Sequence, residues 1–315
     1  MSDLFDCRDA FADALEELAE SDARIVAVTD EVNASAKLKN FGERFPNRIF
    51  HAGNADQHMV GMGAGLANGG KLPFICAAAC AMTGKSMEQI KVDLGYSRYN
   101  VKLCVMSGGP AYGGLDGARH SNEDLAWTRV IPNLSVVIPA DAIETRSAVP
   151  IIARDGGPVF LRLNGMPVPN IHSSGYQYQM GKSVQVREGD DITLISHGVL
   201  VSRALDAAER LECAGISARV INMSTLKPLD SAAIVDAART TGGIVTVEEY
   251  SVHGGLGGAV AEVLATTYPT RMRMLGIPDG SAPSGSQEFL FEHFGLTAQG
   301  IEKAAVELLD LVRGA

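Results

Sequence analysis

The chain has 315 residues, of which 46% are apolar and 20% are charged, a composition typical of ordinary globular proteins. Its 27 basic and 37 acidic residues give a net charge of −10, which argues against extended nucleic-acid binding. No apolar run approaches the roughly 18 residues of a membrane span, and the acidic N-terminus lacks the apolar segment of a signal peptide. The five cysteines include no C-x-x-C pair, so we expect a soluble protein of the reducing cytoplasm without a membrane partner.

In the first half of the chain, short apolar runs alternate with longer segments of helical periodicity. In chain order, the predicted elements are a helix around 11–18, strands at 25–28 and 73–75, a helix at 85–94, a strand at 101–106, a helix at 122–130, a strand at 135–138, a helix at 142–153 and a strand at 159–163. Continuous apolar strands separated by helices predict a parallel sheet that is covered by helices on both faces.

The pattern lapses after residue 163 into a stretch rich in Gly, Pro, Ser and Tyr, and then resumes. We therefore predict a first domain over 1–165, a linker over 166–183 and a second domain over 184–315. The elements predicted for the second domain are strands at 192–196, 218–222 and 244–247 and helices at 201–214, 231–240, 256–267 and 298–312. The predicted fold class is α/β, with two consecutive domains of mainly parallel sheets flanked by helices.

Two loops carry side chains that are suited to chemistry. Asp56 begins a helix of small residues just after a short strand, where the helix dipole favours a carboxylate and parallel strands gather ligands. The second loop reads SGGPAYGGLDGARH, in which glycines let the backbone approach a ligand while Asp116 and His120 exchange protons with it. Taken alone, Asp56 is also explained as a helix-start acid, and the second stretch as a mobile surface loop.

At these two loops the sequence resembles the transketolase family, in particular the C-terminal half that split transketolases carry as a separate subunit. The most specific stretches are GNADQHMVGMGAGLANGGKLPF, DGARHSNEDLAWTRVIPNLSVVIPADAIETR, VEEYSVHGGLGGAV and GIPDGSAPSGS. The resemblance covers nearly the whole chain and implies a pyrimidine-binding domain followed by a transketolase C-terminal domain. It also implies a transferase that uses thiamine diphosphate to move a two-carbon ketol unit from a ketose-type donor to an aldehyde.

The family holds the diphosphate and Mg²⁺ of this cofactor in a separate N-terminal domain with a Gly-Asp-Gly metal motif, which this sequence lacks. Diphosphate oxygens need such a hard cation in octahedral oxygen coordination. The resemblance therefore implies that an N-terminal transketolase subunit is the partner and holds the Mg²⁺. It further implies an α2β2 assembly in which this chain also self-associates, with no metal ligands of its own.

The resemblance assigns catalytic and substrate-binding roles to four residues. The family's catalytic glutamate, which contacts the aminopyrimidine ring of the cofactor, falls on Asp56, whose side chain is shorter by one methylene, about 1.5 Å. His120 and Asp116 match the D-G-x-x-H motif whose acid and imidazole contact substrate hydroxyls, and we expect His120 to be catalytic. Ser35 aligns with a serine that binds the substrate phosphate.

Five further positions depart from the family pattern. Ala78 and Ala81 stand where aromatic rings stack on the aminopyrimidine, a contact worth about 0.5–1.5 kcal/mol beyond its area. Met87, at another commonly aromatic position, is either a soft cofactor contact or a core methionine. Gly108 replaces a histidine of the donor pocket, and Gly165 replaces the arginine that clamps the substrate phosphate. These departures imply a substrate other than a standard sugar phosphate.

Two other functions stay open at this point. A non-catalytic, regulatory homologue is favoured by the two alanines and the shortened acid, and is opposed by Asp116, His120 and Ser35. The beta subunit of a 2-oxo acid dehydrogenase shares the implied fold, but the stretches DGARH and IPADAIET fit transketolase better.

Overall fold

The computed structural model describes residues 3–30, 37–115, 117–280 and 282–314. Its strands are β1 (Leu4–Phe5), β2 (Ile25–Thr29), β3 (Ile49–His51), β4 (Leu72–Ala78), β5 (Lys102–Met106), β6 (Ser135–Val137), β7 (Val159–Leu163), β8 (Val168–Pro169), β9 (Val184–Arg187), β10 (Ile192–Ser196), β11 (Ala218–Asn222), β12 (Thr225–Lys227), β13 (Ile244–Ser251) and β14 (Met272–Ile277).

Its α-helices are α1 (Cys7–Ser21), α2 (Lys39–Arg44), α3 (Asp56–Asn68), α4 (Ala79–Gln89), α5 (Asp124–Arg129), α6 (Ala142–Arg154), α7 (Leu200–Cys213), α8 (Ser231–Thr240), α9 (Leu256–Thr267), α10 (Gln287–His293) and α11 (Ala298–Arg313). Short 3₁₀ turns cover Pro46–Arg48 and Gly117–Arg119, and a π-helical segment covers Ile90–Tyr96. Within the four described ranges, no helix is both long enough and apolar enough to cross a membrane.

The larger sheet has seven strands in the order β12-β6-β7-β5-β4-β2-β3. All neighbours are parallel except β12, which runs antiparallel to β6. Side chains that alternate along β4 enter two different cores: Phe74 packs in the cluster that contains Phe11 of α1, whereas Ile75 packs with Met59 and Val60 of α3. Both faces of this sheet are therefore covered by helices, which explains why its central strands are buried along their whole length and mainly apolar.

The smaller sheet has the order β14-β13-β10-β11-β9, with only β9 antiparallel to its neighbour. Helices α7 and α11 pack on it through apolar residues that include Leu211 and Leu308. The predicted fold class, α/β with mainly parallel sheets flanked by helices, is confirmed.

The sequence did not predict α2, β9, β14 and α10, and three further segments also differ from the predicted elements. Within the expected linker, β8 pairs with β1 near the N-terminus, and the Tyr178 hydroxyl lies 2.7 Å from that of Thr225. From the second half of the chain, β12 joins the larger sheet beside β6. The helix expected at 85–94 begins earlier, at Ala79, and continues into the π-helical segment. Strands β1, β8 and β12 were missed because strands of two or three residues show no periodicity. The start of α4 was missed because this helix has no side-chain cap.

Strand β5 begins with a buried lysine. Lys102 is fully buried, and its Nζ donates to the backbone carbonyls of Asp155 and Gly157, each at 2.7 Å. Burial lowers the pKa of this ammonium to about 8. In the unfolded chain the pKa of a lysine is about 10.4. Between about pH 8 and about pH 10.4, folding therefore releases the Lys102 proton. The contribution of Lys102 to the free energy of unfolding therefore rises as the pH increases through this window.

We predict that Lys102→Met removes this rise. The free energy of unfolding of both proteins is measured with urea between pH 7.5 and 10. Over this range, the value for the wild type should rise by roughly 2–3 kcal/mol relative to that for the variant. Lys71→Met, at an exposed lysine, is the control and should follow the wild type. A difference between wild type and Lys102→Met that stays constant with pH would contradict the lowered pKa.

Candidate functional site

The parallel strands of the larger sheet bring residues from distant parts of the chain to one edge. Asp56 lies a few residues beyond the end of β3, Ala78 ends β4, Gly108 follows β5 and Gly165 follows β7. Because β3, β4, β5 and β7 point the same way, their carboxyl ends lie along one edge of the sheet. This edge is where α/β sheets bind ligands.

Asp56 is the first residue of α3, and only 7% of it is exposed. Its Oδ2 accepts a hydrogen bond from Lys85 Nζ at 2.8 Å, while the Lys85 side chain is itself 60% exposed. The Gln57 side chain fixes the backbone of α4 by donating to the Lys85 carbonyl at 2.9 Å. A cavity of about 410 Å³ opens here, lined by Asn54, Ala55, Asp56, Gln57, His58 and Lys85. The acid therefore borders a space that a small molecule can enter.

The predicted cofactor-binding positions on β4 and α4 carry small or core side chains. Ala78 and Ala81 are half-buried at the junction between this strand and this helix. Met87 is partly buried and packs against the apolar cluster that contains Met59. Within the described chain, no aromatic ring occupies either alanine position, so these residues supply space and no stacking contact.

The glycine-rich stretch folds back on itself and buries His120. Gly109 and Ser121 form an isolated antiparallel bridge, with N–H···O distances of 3.2 and 2.9 Å. His120 is 4% exposed, and its backbone N–H donates to the carbonyl of Gly117 at 3.2 Å. The predicted substrate residues Asp116 and Ser35 lie outside the described residues.

Gly108 lies directly on a buried guanidinium. A Cβ at this position would lie 2.4 Å from Cζ of Arg162, closer than real contacts allow. Arg162 is 1% exposed, and it donates through Nε to Asp124 Oδ2 at 2.9 Å and through Nη1 to Glu249 Oε1 at 3.0 Å. The space in the direction of the missing side chain is therefore filled by Arg162, which is buried and held by two carboxylates.

Arg8 is a residue that the sequence analysis missed. A Cβ at Gly165 would lie 2.8 Å from Cζ of Arg8, and Arg8 Nη2 is 3.4 Å from the Gly165 carbonyl. The N-cap residue Asp6 orients this guanidinium, with an Nη2–Oδ2 distance of 2.8 Å. Pairing of Leu4 with Pro169 brings the start of the chain to this edge. The sequence offered no signal beyond an arginine in the first turn of a helix, because the two-residue pairing is not visible in it.

Comparison with known proteins decides the family. Residues 4–169 match the model of the transketolase pyrimidine binding domain, and residues 181–301 match that of the transketolase C-terminal domain. This chain belongs to the transketolase family. It is 41% identical over 304 residues to one of the subunits of the apulose-4-phosphate transketolase of Phocaeicola vulgatus, a match that covers 96% of this chain and 97% of that one.

Two further relatives also match this transketolase chain over nearly its whole length. The 6-deoxy-6-sulfo-D-fructose transketolase subunit SqwH of a Clostridium species is 38% identical, over 96% of this chain and 94% of its own. A solved split-gene transketolase, described as an inactive β4 tetramer, superimposes with a TM-score of 0.92 at 38% identity, covering 98% and 100% of the two chains. The predicted family, its C-terminal-subunit type and its transferase class are confirmed.

The donor set at this edge fits one half of thiamine diphosphate, the cofactor of the transketolase family. The buried Asp56 carboxylate suits the nitrogen of an aminopyrimidine ring, and it borders the cavity described above. The diphosphate half needs a hard cation. Among the residues that the structure describes, no group of three or more His, Cys, Asp or Glu side chains is placed to hold one. The Asp56 carboxylate and its cavity, here called the half-site, thus fit the ring of this cofactor.

We predict that Gly108→Ala destabilises the transketolase chain, because Arg162 cannot retreat from two carboxylates to admit a methyl group. Overpacking of this kind costs about 1–3 kcal/mol in the free energy of unfolding, measured by urea denaturation. Gly114→Ala, in the same stretch but with open space around its Cβ, is the control and should unfold like the wild type. Equal stability of both variants would show that the guanidinium is mobile.

Proposed function

We propose that this chain is the C-terminal subunit of a two-subunit, thiamine-diphosphate-dependent transketolase that transfers a two-carbon ketol unit from a ketose-type donor to an aldehyde. The observation that carries the proposal is the buried Asp56 carboxylate at the ligand-binding edge of a chain that matches a transketolase subunit over 96% of its length. When bound, thiamine diphosphate supplies the nucleophilic carbon and the electron sink for breaking and forming the C–C bond. Asp56 holds the proton at the aminopyrimidine ring nitrogen, and His120 binds and orients substrate hydroxyls together with Asp116.

We assign the diphosphate and the Mg²⁺ to an N-terminal partner subunit, in an α2β2 assembly that also includes contacts between copies of this chain. The half-site supports this assignment, as does the inactive β4 tetramer of the 38% identical relative. We further propose domain boundaries at 1–165 and 184–315 with a linker over 166–183. A cytoplasmic location is supported by five cysteines that are all free in the structure.

We propose that the substrate carries an anionic group that is bound by Arg8. The names of two relatives, apulose-4-phosphate transketolase and 6-deoxy-6-sulfo-D-fructose transketolase, describe sugars with a phosphate and a sulfonate respectively. Arg8 lies against Gly165, the position where the family resemblance places the phosphate-binding arginine. Lys37 Nζ adds a second positive charge beside this pair, at 3.6 Å from Asp6 and 3.0 Å from Asp9. A guanidinium forms charge-assisted hydrogen bonds with either anion, so the substrate remains a sugar with an acidic end and need not be a standard sugar phosphate.

A regulatory homologue without catalysis is the second candidate. One observation favours it: Oδ2 of Asp56, an atom needed for the cofactor ring, is occupied by Lys85 at 2.8 Å. In that case the ion pair and the two alanines together would mark a site that no longer binds cofactor.

The two candidates are separated by capture of this chain from its native lysate with thiamine diphosphate and Mg²⁺, followed by native mass spectrometry. We expect a complex with a partner that carries the Gly-Asp-Gly metal motif, with cofactor retained. A homo-oligomer without partner and without cofactor would contradict the enzyme and support the regulatory homologue.

In the captured complex, we expect Asp56→Asn to weaken cofactor retention and to lower turnover on the order of 10²-fold or more, the usual contribution of a positioned proton-transfer group. Asp310→Asn, at an exposed acid of α11, is the matched control and should behave as the wild type. Cofactor retention and turnover that are unchanged in Asp56→Asn would exclude the assigned role.

The Arg8 assignment predicts a selective change in substrate binding. Arg8→Gln should raise the KM for the anionic sugar by about 10- to 100-fold, as expected when a hydrogen bond to a charged group is lost, with little change in kcat. Inorganic phosphate or sulfate should compete with the sugar in the wild type and not in the variant. Arg24→Gln removes a guanidinium held by Asp22 in the same i, i+2 geometry at 2.7 Å, and should leave the KM unchanged. A rise in KM for both variants would show that the loss of any positive charge raises the KM, and would contradict a specific role of Arg8.

A further inference from the structure

The loop over residues 107–115 and 117–121, here called the substrate loop, belongs to the first half of the chain but rests on the second. The Gly285 N–H donates to the carbonyl of Gly113 at 2.9 Å. A Cβ at Gly113 would lie 2.3 Å from Leu290 Cδ1 of α10, and a Cβ at Gly109 would lie 2.3 Å from the carbonyl oxygen of Glu249. Two glycines of the loop are therefore in direct contact with β13 and with the segment that leads into α10, and any side chain at either position would separate them.

Beneath this contact lies a buried polar network centred on Glu249, which is 1% exposed. Its Oε1 accepts from Arg162 Nη1 at 3.0 Å. Its Oε2 accepts from Asn164 Nδ2 and, at 3.2 Å, from Gln287 Nε2. A buried carboxylate is tolerated only when its lone pairs are filled in this way. The network thus joins β7 of the larger sheet to β13 and α10 of the second half of the chain.

The same network contacts both ends of the substrate loop. Asn164 Nδ2 lies 3.4 Å from the carbonyl of Gly108 at the start of the loop. Arg162 Nη2 lies 3.4 Å from the carbonyl of Ser121 at its end, next to His120. The bridge between Gly109 and Ser121 closes the loop above these two contacts. A displacement of Arg162 would therefore be transmitted to the residue adjacent to the imidazole.

We propose that Glu249 is a positioning residue for the transketolase reaction: acting through Arg162 and Asn164, it holds both ends of the substrate loop, and with them His120, at the edge of the larger sheet. The second half of the chain thereby sets the geometry of a substrate site that is built on the first half. The role of His120 toward substrate rests on the proposed function, whereas the anchoring of the loop does not.

The test is hydrogen–deuterium exchange of the full chain with Glu249→Gln, which keeps the size of the side chain and removes its charge. We expect amides of the substrate loop to exchange on the order of 10-fold faster, with α1 and α11 unchanged. The histidine ring NMR signal of His120, assigned by substitution, should shift in the variant. Glu292→Gln makes the same change at an exposed glutamate of α10 and should alter neither measurement.

Gln287→Leu removes only the amide hydrogen bond to Glu249 and leaves both ion pairs of Arg162 in place. It should accelerate loop exchange by about 3-fold and shift the His120 signal in the same direction, and it carries the test if Glu249→Gln does not fold. Exchange that is unchanged in the loop, or that rises equally over both sheets, would overturn the proposal. The two proposals can fail separately. If the Glu249 variant loses loop protection but the wild-type chain captures no cofactor with its partner, the proposed function is refuted and the anchoring of the loop stands.

Discussion

The arrangement of this molecule depends on one buried guanidinium. Arg162 is 1% exposed, so its charge is tolerated only because Asp124 and Glu249 lie within 2.9 and 3.0 Å of it. These carboxylates come from α5, next to the larger sheet, and from β13 of the smaller sheet. Because the Arg162 guanidinium needs both carboxylates, the two halves of the chain must dock in one orientation. That docking also determines where Gly108 and the loop that follows it lie.

The central parallel strands could be predicted from the sequence because they are buried along their whole length and are mainly apolar, whereas the partly exposed edge strand β14 was not predicted. The pairing of β1 with β8 and of β12 with β6 could not, because these strands have two or three residues and depend on the fold around them. Arg8 was missed for the same reason: the β1–β8 pairing brings its segment beside Gly165. What was predictable is local periodicity, and what was missed is contact between distant segments.

The departures from the family pattern have a different meaning once the structure is known. Read from the sequence, Gly165 and Gly108 are lost side chains. In the structure, each glycine admits a guanidinium from elsewhere, Arg8 in the first case and Arg162 in the second. The two exchanges differ in burial: the Arg8 side chain is paired with Asp6 but stays partly exposed at the edge of the sheet, whereas Arg162 is buried between two carboxylates. Ala78 and Ala81 stay small residues, half-buried at the junction of β4 and α4.

The ion pair between Lys85 and Asp56 bears on whether the half-site can accept a cofactor. Asp56 is buried, but the Lys85 side chain is 60% exposed, so its ammonium remains largely hydrated in the pair. The ammonium therefore gives up little hydration in the pair, whereas the buried carboxylate needs a hydrogen-bond donor. Lys85 can turn into solvent when a protonated ring nitrogen takes its place at Oδ2. Between binding events, Lys85 supplies a hydrogen bond to the Asp56 carboxylate without closing the site. The Lys85–Asp56 ion pair, which favours a regulatory homologue, is therefore also compatible with an enzyme.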